Sequence, residues 1–187
     1  MNLSAIKQLL ESNRVSLHPG LLSDEISQIE YIYQFHFPPD LREFLSHMLP
    51  TGNGFPQWRD VSERGITHMR DYLHKPLEGI LFDIQHNVFW YAAWGERPAD
   101  TQTAQNIARQ QYAQLPPLIP IYGHRYMPTE PYETGNPVLS VYQTDVIPYG
   151  TNLEEYFQIE YKQKPYSDMD YTAVKPIPFW LELDQHR

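Results

Sequence analysis

The sequence predicts an α+β fold in which a mainly antiparallel sheet is flanked by helices. Two kinds of apolar repeat support this: one of three to four residues, typical of helices, and one of two residues, typical of strands. The predicted order is helices, a hairpin, a helix, short strands and a last helix, which contains too few strand–helix–strand crossovers for a doubly wound parallel sheet. The 187 residues show no internal repeat, linker or composition break, so one domain spanning 1–187 is expected.

The first part of the chain predicts three helices. Apolar residues recur at helical spacing in 3–12, before a predicted turn at His18-Pro19-Gly20. Ser23 is followed by two acids and is the predicted N-cap of a helix that ends before the next prolines. Pro39 then leads a third helix, which the turn residues at 50–54 terminate.

The middle of the chain predicts a loop and a hairpin. Residues 55–78 mix charges, histidines and an isolated tryptophan without a clean period, which indicates a loop with one helical turn at most. Residues 80–84 and 88–94 alternate at strand spacing and predict a β-hairpin. Trp90 and Trp94 fall on one face of that hairpin, where packing in a core is favoured over a platform for ligand stacking.

The remaining residues predict a helix, three short strands and a further helix. Thr101 or Thr103 caps the first of these helices, and two successive prolines stop it. Thr151, with Glu154 three residues on, resembles a capping box and begins the second. The strands are expected at 118–122, 138–142 and 146–149, with Pro120 and Pro148 pushing theirs to sheet edges, and an irregular tail follows from 162 to an apolar plug at 177–181.

Composition favours a cytoplasmic protein with a basic partner. The formal net charge is −9 and no Lys/Arg cluster is present, which disfavours binding to nucleic acid or to an anionic membrane surface. Cysteine is absent, which excludes disulfides, thiolate catalysis and Cys-ligated metals. No signal peptide and no run of about 20 apolar residues is visible, so secretion and membrane spanning are not expected.

No pattern predicts catalysis. The eight histidines include no His-Glu-x-x-His or other recognisable ligand spacing, so we predict no metal and no cofactor. His124 and Arg125, with Asp83 and Asp145 elsewhere, form the one set that could converge into a general-base site of a hydrolase. The alternative is that His124 bonds to the backbone and Arg125 pairs with a carboxylate, and we favour it because no motif geometry supports the first.

Two features suggest how a partner would be bound. Trp58 follows a glycine-rich turn and is a candidate for an exposed anchor, although a core position is an equal alternative. The predicted helices also carry acids off their apolar stripes, which form either a simple solvated face or a patch that steers a basic partner. These acids are Asp24, Glu25, Glu30, Asp40, Glu43, Glu154, Glu155 and Glu160.

Several segments, in order, resemble the SUKH superfamily, which includes bacterial immunity proteins and relatives of fungal regulators of cell-wall glucan synthesis. The segment Leu22-Ser23-Asp24-Glu25-Ile26 is similar to the family's capped first helix, and Phe37-Pro38-Pro39-Asp40-Leu41-Arg42-Glu43-Phe44-Leu45 to its proline-led second helix. The later matches are Asn53-Gly54, Pro117-Leu118-Ile119-Pro120-Ile121-Tyr122, Gly135-Asn136-Pro137-Val138-Leu139-Ser140-Val141 and Asn152-Leu153-Glu154-Glu155-Tyr156-Phe157. The chain departs from the family at 50–52, which intervene before Asn53-Gly54, and at Asn136-Pro137, where many relatives show Gly-Asp.

The resemblance implies a SUKH-like core at about 21–161, with the N-terminal helix in 1–20 and the tail at 162–187 appended. It implies a protein-binding scaffold without an active site, which in many bacterial members neutralises a toxin. The leading hypothesis is therefore a non-enzymatic immunity-type protein that binds a basic toxin domain. The alternatives are a regulatory or scaffold protein without a toxin partner, and a hydrolase that uses His124 and Arg125.

Overall fold

The computed structural model describes residues 1–183 and shows an α+β fold, as predicted. A four-stranded antiparallel sheet, ordered β3-β4-β5-β6, and a separate antiparallel pair, β1-β2, are accompanied by six α-helices in that part of the chain. The elements are α1 (Leu3–Ser12), β1 (Ser16–Pro19), α2 (Ser23–Tyr33), α3 (Pro39–His47), β2 (Met48–Thr51), α4 (Glu63–His86), α5 (Thr101–Tyr112), β3 (Leu118–Tyr122), β4 (Arg125–Pro128), β5 (Leu139–Tyr142), β6 (Asp145–Pro148) and α6 (Leu153–Glu160).

The three N-terminal helices form where they were predicted, but the segments predicted as turns pair as strands. β1 includes His18 and Pro19 of the expected turn, and β2 occupies the start of the expected stop after α3. Gly20 permits this arrangement, because a Cβ there would lie 2.0 Å from the Ser46 carbonyl oxygen. The expected cap of α2 is also wrong: Ser23 is inside the helix, and Glu25 caps it by accepting the Leu22 N–H at 2.7 Å.

Helix α4 replaces residues 63–78 of the predicted loop and the first strand of the predicted hairpin, whereas residues 55–62 are irregular, as predicted. Its buried positions follow helical spacing throughout, so the alternation at 80–84 is incidental to a helical stripe. Pro76 lies inside the helix and cannot donate to the carbonyl of Tyr72. The Tyr126 hydroxyl from the sheet donates to that carbonyl instead, at 3.2 Å, which satisfies the buried acceptor.

The last turns of α4 pack directly on the turn between β5 and β6. Asp83 is buried, and its Oδ2 accepts the N–H of Thr144 at 2.9 Å and its hydroxyl at 2.6 Å. Gly79 lets the backbones meet, since a Cβ there would lie 2.6 Å from the Cα of Gln143. The helix therefore has a fixed position on the sheet, held by a carboxylate and a close backbone contact.

The second half of the predicted hairpin is also not a strand. Residues 88–91 are irregular, and a 3-10 turn spans Ala92–Trp94. Trp90 and Trp94 are half-buried, with ring centroids 5.3 Å apart in an edge contact, rather than aligned on a sheet. Trp94 also stacks on Phe179 of the tail at 5.7 Å, so this segment packs on the tail and not on a hairpin partner.

Helices α5 and α6 form as predicted, but different residues cap them. Asp100, not Thr101 or Thr103, caps α5, since its carboxylate accepts the N–H of Thr103 at 2.7 Å. In α6 the predicted Thr151–Glu154 box is replaced by Asn152, whose side chain accepts the Glu155 N–H at 3.0 Å. A side-chain oxygen one position before or after the predicted residue serves the same physical need, which is an acceptor for a free helical N–H.

The sheet confirms the predicted strands and adds one. Pro120 lies in β3 and Pro148 in β6, the two edge strands, as their missing N–H groups require. Strand β4 was not predicted, because its residues were assigned to a proline-rich loop. The tail from 162 contains only 3-10 turns in its described part, and its buried side chains join the same hydrophobic cluster as the helices and sheet: Ile177, Phe179, Trp180 and Leu183.

Candidate functional site

Three of the predicted acids line one depression, which we call the acidic pocket. Asp40 and Glu43 reach it from α3, and Glu154 reaches it from the first turn of α6. The pocket has a volume of about 310 Å³, and the backbone at Thr134 and Gly135 closes one side. Asp40 and Glu154 lie in the first turns of their helices, where the partial positive charge favours acids, and Glu43 lies one turn further along α3.

Asp40 is the inner wall of the acidic pocket and is not on a solvated face. It is only 6% exposed, and its two oxygens accept the N–H groups of Leu41 at 3.1 Å and Gly135 at 3.0 Å. Burial raises the pKa of this carboxyl, opposed by the backbone hydrogen bonds and by the charge of Lys175. The prediction of a solvent-facing Asp40 is corrected: it joins α3 to the loop before β5.

Glu43 and Glu154 are the accessible carboxylates of the acidic pocket. Glu43 is exposed and forms no ion pair within residues 1–183. Glu154 is half-buried and accepts the Asn2 N–H at 2.8 Å. Met1 also lines the pocket, whereas the ammonium of Lys175 is bound at 2.6 Å to Glu133. The pocket thus presents carboxylates to a cation from outside.

Glu25 and Glu155 already have cationic partners in the chain. Glu25 binds Arg59 through both oxygens, at 2.8 and 3.1 Å, and this hydrogen bonding lowers its pKa. Glu155 accepts from Lys164 at 2.6 Å. Asp24 is exposed on α2. Of the predicted acidic set, only some members are therefore available to a partner.

Glu30 is a further correction, since it lies inside the protein with 9% exposure. Its carboxylate accepts the Phe37 N–H at 3.0 Å and a guanidinium N–H of Arg42 at 2.8 Å. These bonds connect the end of α2 to the start of α3, where the chain turns and backbone groups lack helical partners. Glu30 is structural in this position and does not contribute to a binding surface.

Trp58 is not an exposed anchor. It is 2% exposed, and its ring makes edge contacts with Phe37 at 5.1 Å, Phe35 at 6.0 Å and Tyr33 at 6.2 Å. The edge-to-face geometry is the one that aromatic rings prefer in a core. The core alternative for Trp58 is the correct one, and the residue has no surface to offer a partner.

A second depression, the aromatic groove, runs between α4 and the turns of the sheet. We define it by Tyr72, Phe82, His124 and Tyr142, and its volume is about 630 Å³. Phe82 and Tyr142 are 46% and 67% exposed, and both line the groove. The groove was not predicted, because Phe82 was assigned to a strand and Tyr72 to a loop.

His124 and Arg125 lie together at the edge of this groove, where Arg125 binds a glutamate that the hydrolase hypothesis did not include. Arg125 binds Glu160 at 3.1 Å and Ser140 at 2.6 Å, and its guanidinium lies 3.7 Å from the Tyr149 ring centroid. Its N–H also points at the Nε2 of His124 at 2.5 Å. Arg125 therefore pairs with a carboxylate, as the favoured alternative proposed.

The ionisation of His124 follows from this contact. Because arginine can only donate, Nε2 of His124 accepts, and its lone pair is occupied. Burial and then the charge of Arg125 lower the pKa of His124, opposed by Glu160. Asp83, the other acid of the hydrolase hypothesis, is bound to Thr144 instead. The ring of His124 thus bonds to a side chain and not to the backbone, which corrects that half of the favoured alternative.

Within residues 1–183, no three His, Asp or Glu side chains are grouped so that they could hold a metal ion. In the same part of the chain, no helix combines the length and apolar character required to cross a membrane. No protein-family model, curated protein or solved structure matches the chain.

Proposed function

We propose that the chain is a non-catalytic, immunity-type protein-binding domain that binds a basic toxin domain in the cytoplasm and neutralises it. The observation that carries this proposal is the acidic pocket, where carboxylates of α3 and α6 meet around a volume of about 310 Å³. A lysine or arginine side chain of a partner fits such a depression, because Glu43 forms no ion pair with any described residue and the pocket is partly shielded from water.

The order of elements supports the same proposal. The segments that resemble the SUKH superfamily form α2, α3, β3, β5 and α6, each of the type that the resemblance implies. Asn53-Gly54 follows β2 in a turn. Since α3 and α6 are two of these segments, the acidic pocket is built from the part of the chain on which the resemblance rests.

The contacts of His124 favour binding over hydrolysis. A general base needs a lone pair directed at a substrate proton, and the Nε2 lone pair of His124 faces Arg125. Arg125 in turn has a carboxylate, a hydroxyl and an aromatic ring as neighbours. Neither group is available in this arrangement for a substrate phosphate or carbonyl.

The test is capture of a partner by wild-type protein and by a Glu43→Gln/Glu154→Gln variant. Gln keeps the carbonyl oxygen that accepts the Asn2 N–H, so the variant removes charge with little change in shape. We expect the wild type to capture a basic protein, and the variant or salt of about 0.5 M to weaken the capture about tenfold. The captured protein, expressed alone, should arrest growth, and co-expression of this chain should restore it.

The matched control is Asp71→Asn/Glu96→Gln, which removes the same number of charges from exposed positions outside the pocket. Equal loss of binding in both variants would show a general charge effect and not a pocket. Absence of any toxic partner that this chain neutralises would refute the proposed function.

A further inference from the structure

A third depression is lined by basic residues, in contrast to the acidic pocket. It lies between α4 and α5, beside the end of α2 and the start of β3, and has a volume of about 330 Å³. Arg70 and His74 of α4 and Arg109 of α5 line it, and no Asp or Glu does. We call it the arginine pocket. In a chain of net charge −9, a pocket without a carboxylate and with two arginines is an exception.

The arginines of this pocket are not used by the fold. Within the described residues, neither Arg70 nor Arg109 forms an ion pair or donates a side-chain hydrogen bond to the protein. Both are exposed. Arg42, Arg59 and Arg125, by contrast, each bind a glutamate of the chain. The two guanidinium groups keep their donors for an anion from outside.

The floor of the arginine pocket is apolar. Leu73 and Leu77 lie on the same face of α4 as Arg70, at helical spacing, and Tyr112 lies three residues after Arg109 on α5. Phe35 and Leu118 complete the floor and are buried. A ligand here would place a hydrocarbon or aryl body against these side chains and leave its charged end at the rim.

We propose that the arginine pocket binds a small amphipathic anion, with a carboxylate held by Arg70 and Arg109 and an apolar body on the leucine floor. The planar guanidinium fork matches a carboxylate, which supports that choice of headgroup. The volume lies at the lower end of the about 300–1,000 Å³ typical of small-molecule sites, so a small molecule fits better than a folded partner. The proposal is independent of the proposed function, because it uses none of the acidic pocket.

The test is titration of the full-length protein with octanoate, followed by amide chemical shifts and calorimetry. We expect saturable shifts centred on α4 and α5, and affinity for octanoate at least about tenfold above that for octylammonium, which has the same body and the opposite charge. An Arg70→Gln/Arg109→Gln variant should bind octanoate about tenfold or more weakly. Both positions are exposed, so the fold should survive the change.

Two further variants separate charge from shape. Arg14→Gln/Arg64→Gln removes two exposed arginines outside the pocket and should leave octanoate binding unchanged. Leu77→Ala should weaken octanoate more than it weakens acetate, which has no body to bury. Equal binding of octanoate and octylammonium, shifts away from α4 and α5, or an unchanged affinity in the Arg70/Arg109 variant would each overturn the proposal.

Discussion

The acidic pocket and the arginine pocket are similar in size, about 310 and 330 Å³, but differ in charge and in how the chain forms them. The acidic pocket uses residues of α3 and of the start of α6, two helices that the sequence predicted. The arginine pocket depends on α4, whose first half was predicted to be a loop. A local sequence pattern can therefore predict that a charged residue lies on a helix, whereas the packing of the helices determines which depressions form between them.

The largest effect on the arginine pocket is expected from replacing Asp83, which holds α4 on the sheet. Asp83→Ala leaves the Thr144 N–H and hydroxyl without their acceptor in a buried position. We expect urea denaturation to show a loss of about 2–4 kcal/mol in the free energy of unfolding. Octanoate affinity should fall with it, while the acidic pocket, which α4 does not line, should still bind a lysine peptide.

Asp71→Ala is the control for that change, because Asp71 is exposed on the same helix. Its effect on unfolding should be within about 0.5 kcal/mol. If Asp71→Ala and Asp83→Ala were equally destabilising, the docking role of Asp83 would be wrong.

Measuring both ligands with both pocket variants should show whether the two pockets bind independently. Pentalysine should bind the wild type, and Glu43→Gln/Glu154→Gln should weaken it about tenfold, or about 1.4 kcal/mol, with octanoate affinity changed less than about twofold. The Arg70→Gln/Arg109→Gln variant should show the reverse pattern. Calorimetry at one fixed salt concentration measures all four combinations, and a variant that weakened both ligands equally would show that the pockets are not independent.

A smaller effect, on the pH dependence of stability, is expected at Asp40, the buried carboxyl of the acidic pocket. Burial raises the pKa of Asp40, so the protonated form is favoured in the folded state, and this contribution is present below the ordinary pKa of 3.8 and is lost as pH rises through the raised value. Asp40→Asn cannot titrate. We therefore expect its stability relative to wild type to increase from pH 3.5 to pH 7, by on the order of 1 kcal/mol, in urea titrations at each pH.

The smallest effect on stability is expected at Glu25, whose pKa is shifted in the opposite direction from that of Asp40. Its pKa is lowered, chiefly by the hydrogen bond from Arg59, so the ion pair stabilises the fold above the ordinary pKa of 4.5 and is lost as pH falls through the lowered value. Glu25→Gln should cost less than about 1 kcal/mol at pH 7, because the pair is partly exposed. The difference from wild type should disappear at low pH, and a cost that stayed constant down to pH 2 would contradict this account.

The parts of the fold that the sequence predicted are those with local causes. Pro39 begins α3, and Pro120 and Pro148 mark edge strands, because a missing N–H has the same consequence in any context. Capping was predicted less well: Asp100 caps α5 in place of Thr101 or Thr103, and Asn152 caps α6 in place of Thr151. Neighbouring residues with equivalent oxygens cannot be separated by pattern alone.

The parts of the fold that the sequence did not predict depend on contacts between residues far apart in the chain. Asp40 is buried because the Gly135 N–H, 95 residues away, binds its carboxylate, and no local pattern carries that information. Trp58 is in the core because residues at the end of α2 surround it. Helix α4 was missed because its first half mixes charges and histidines without a clean apolar period, which is, on local evidence, a reason to predict a loop.

The bond between the Tyr126 hydroxyl and the Tyr72 carbonyl has a consequence for how this sequence can evolve. The hydroxyl is needed only because Pro76 has removed the helical donor. If position 76 became alanine, its own N–H would serve the Tyr72 carbonyl, and Tyr126 could become phenylalanine at little cost. The two positions, on a helix and on a strand 50 residues apart, should therefore change together across related sequences, as one inherited unit.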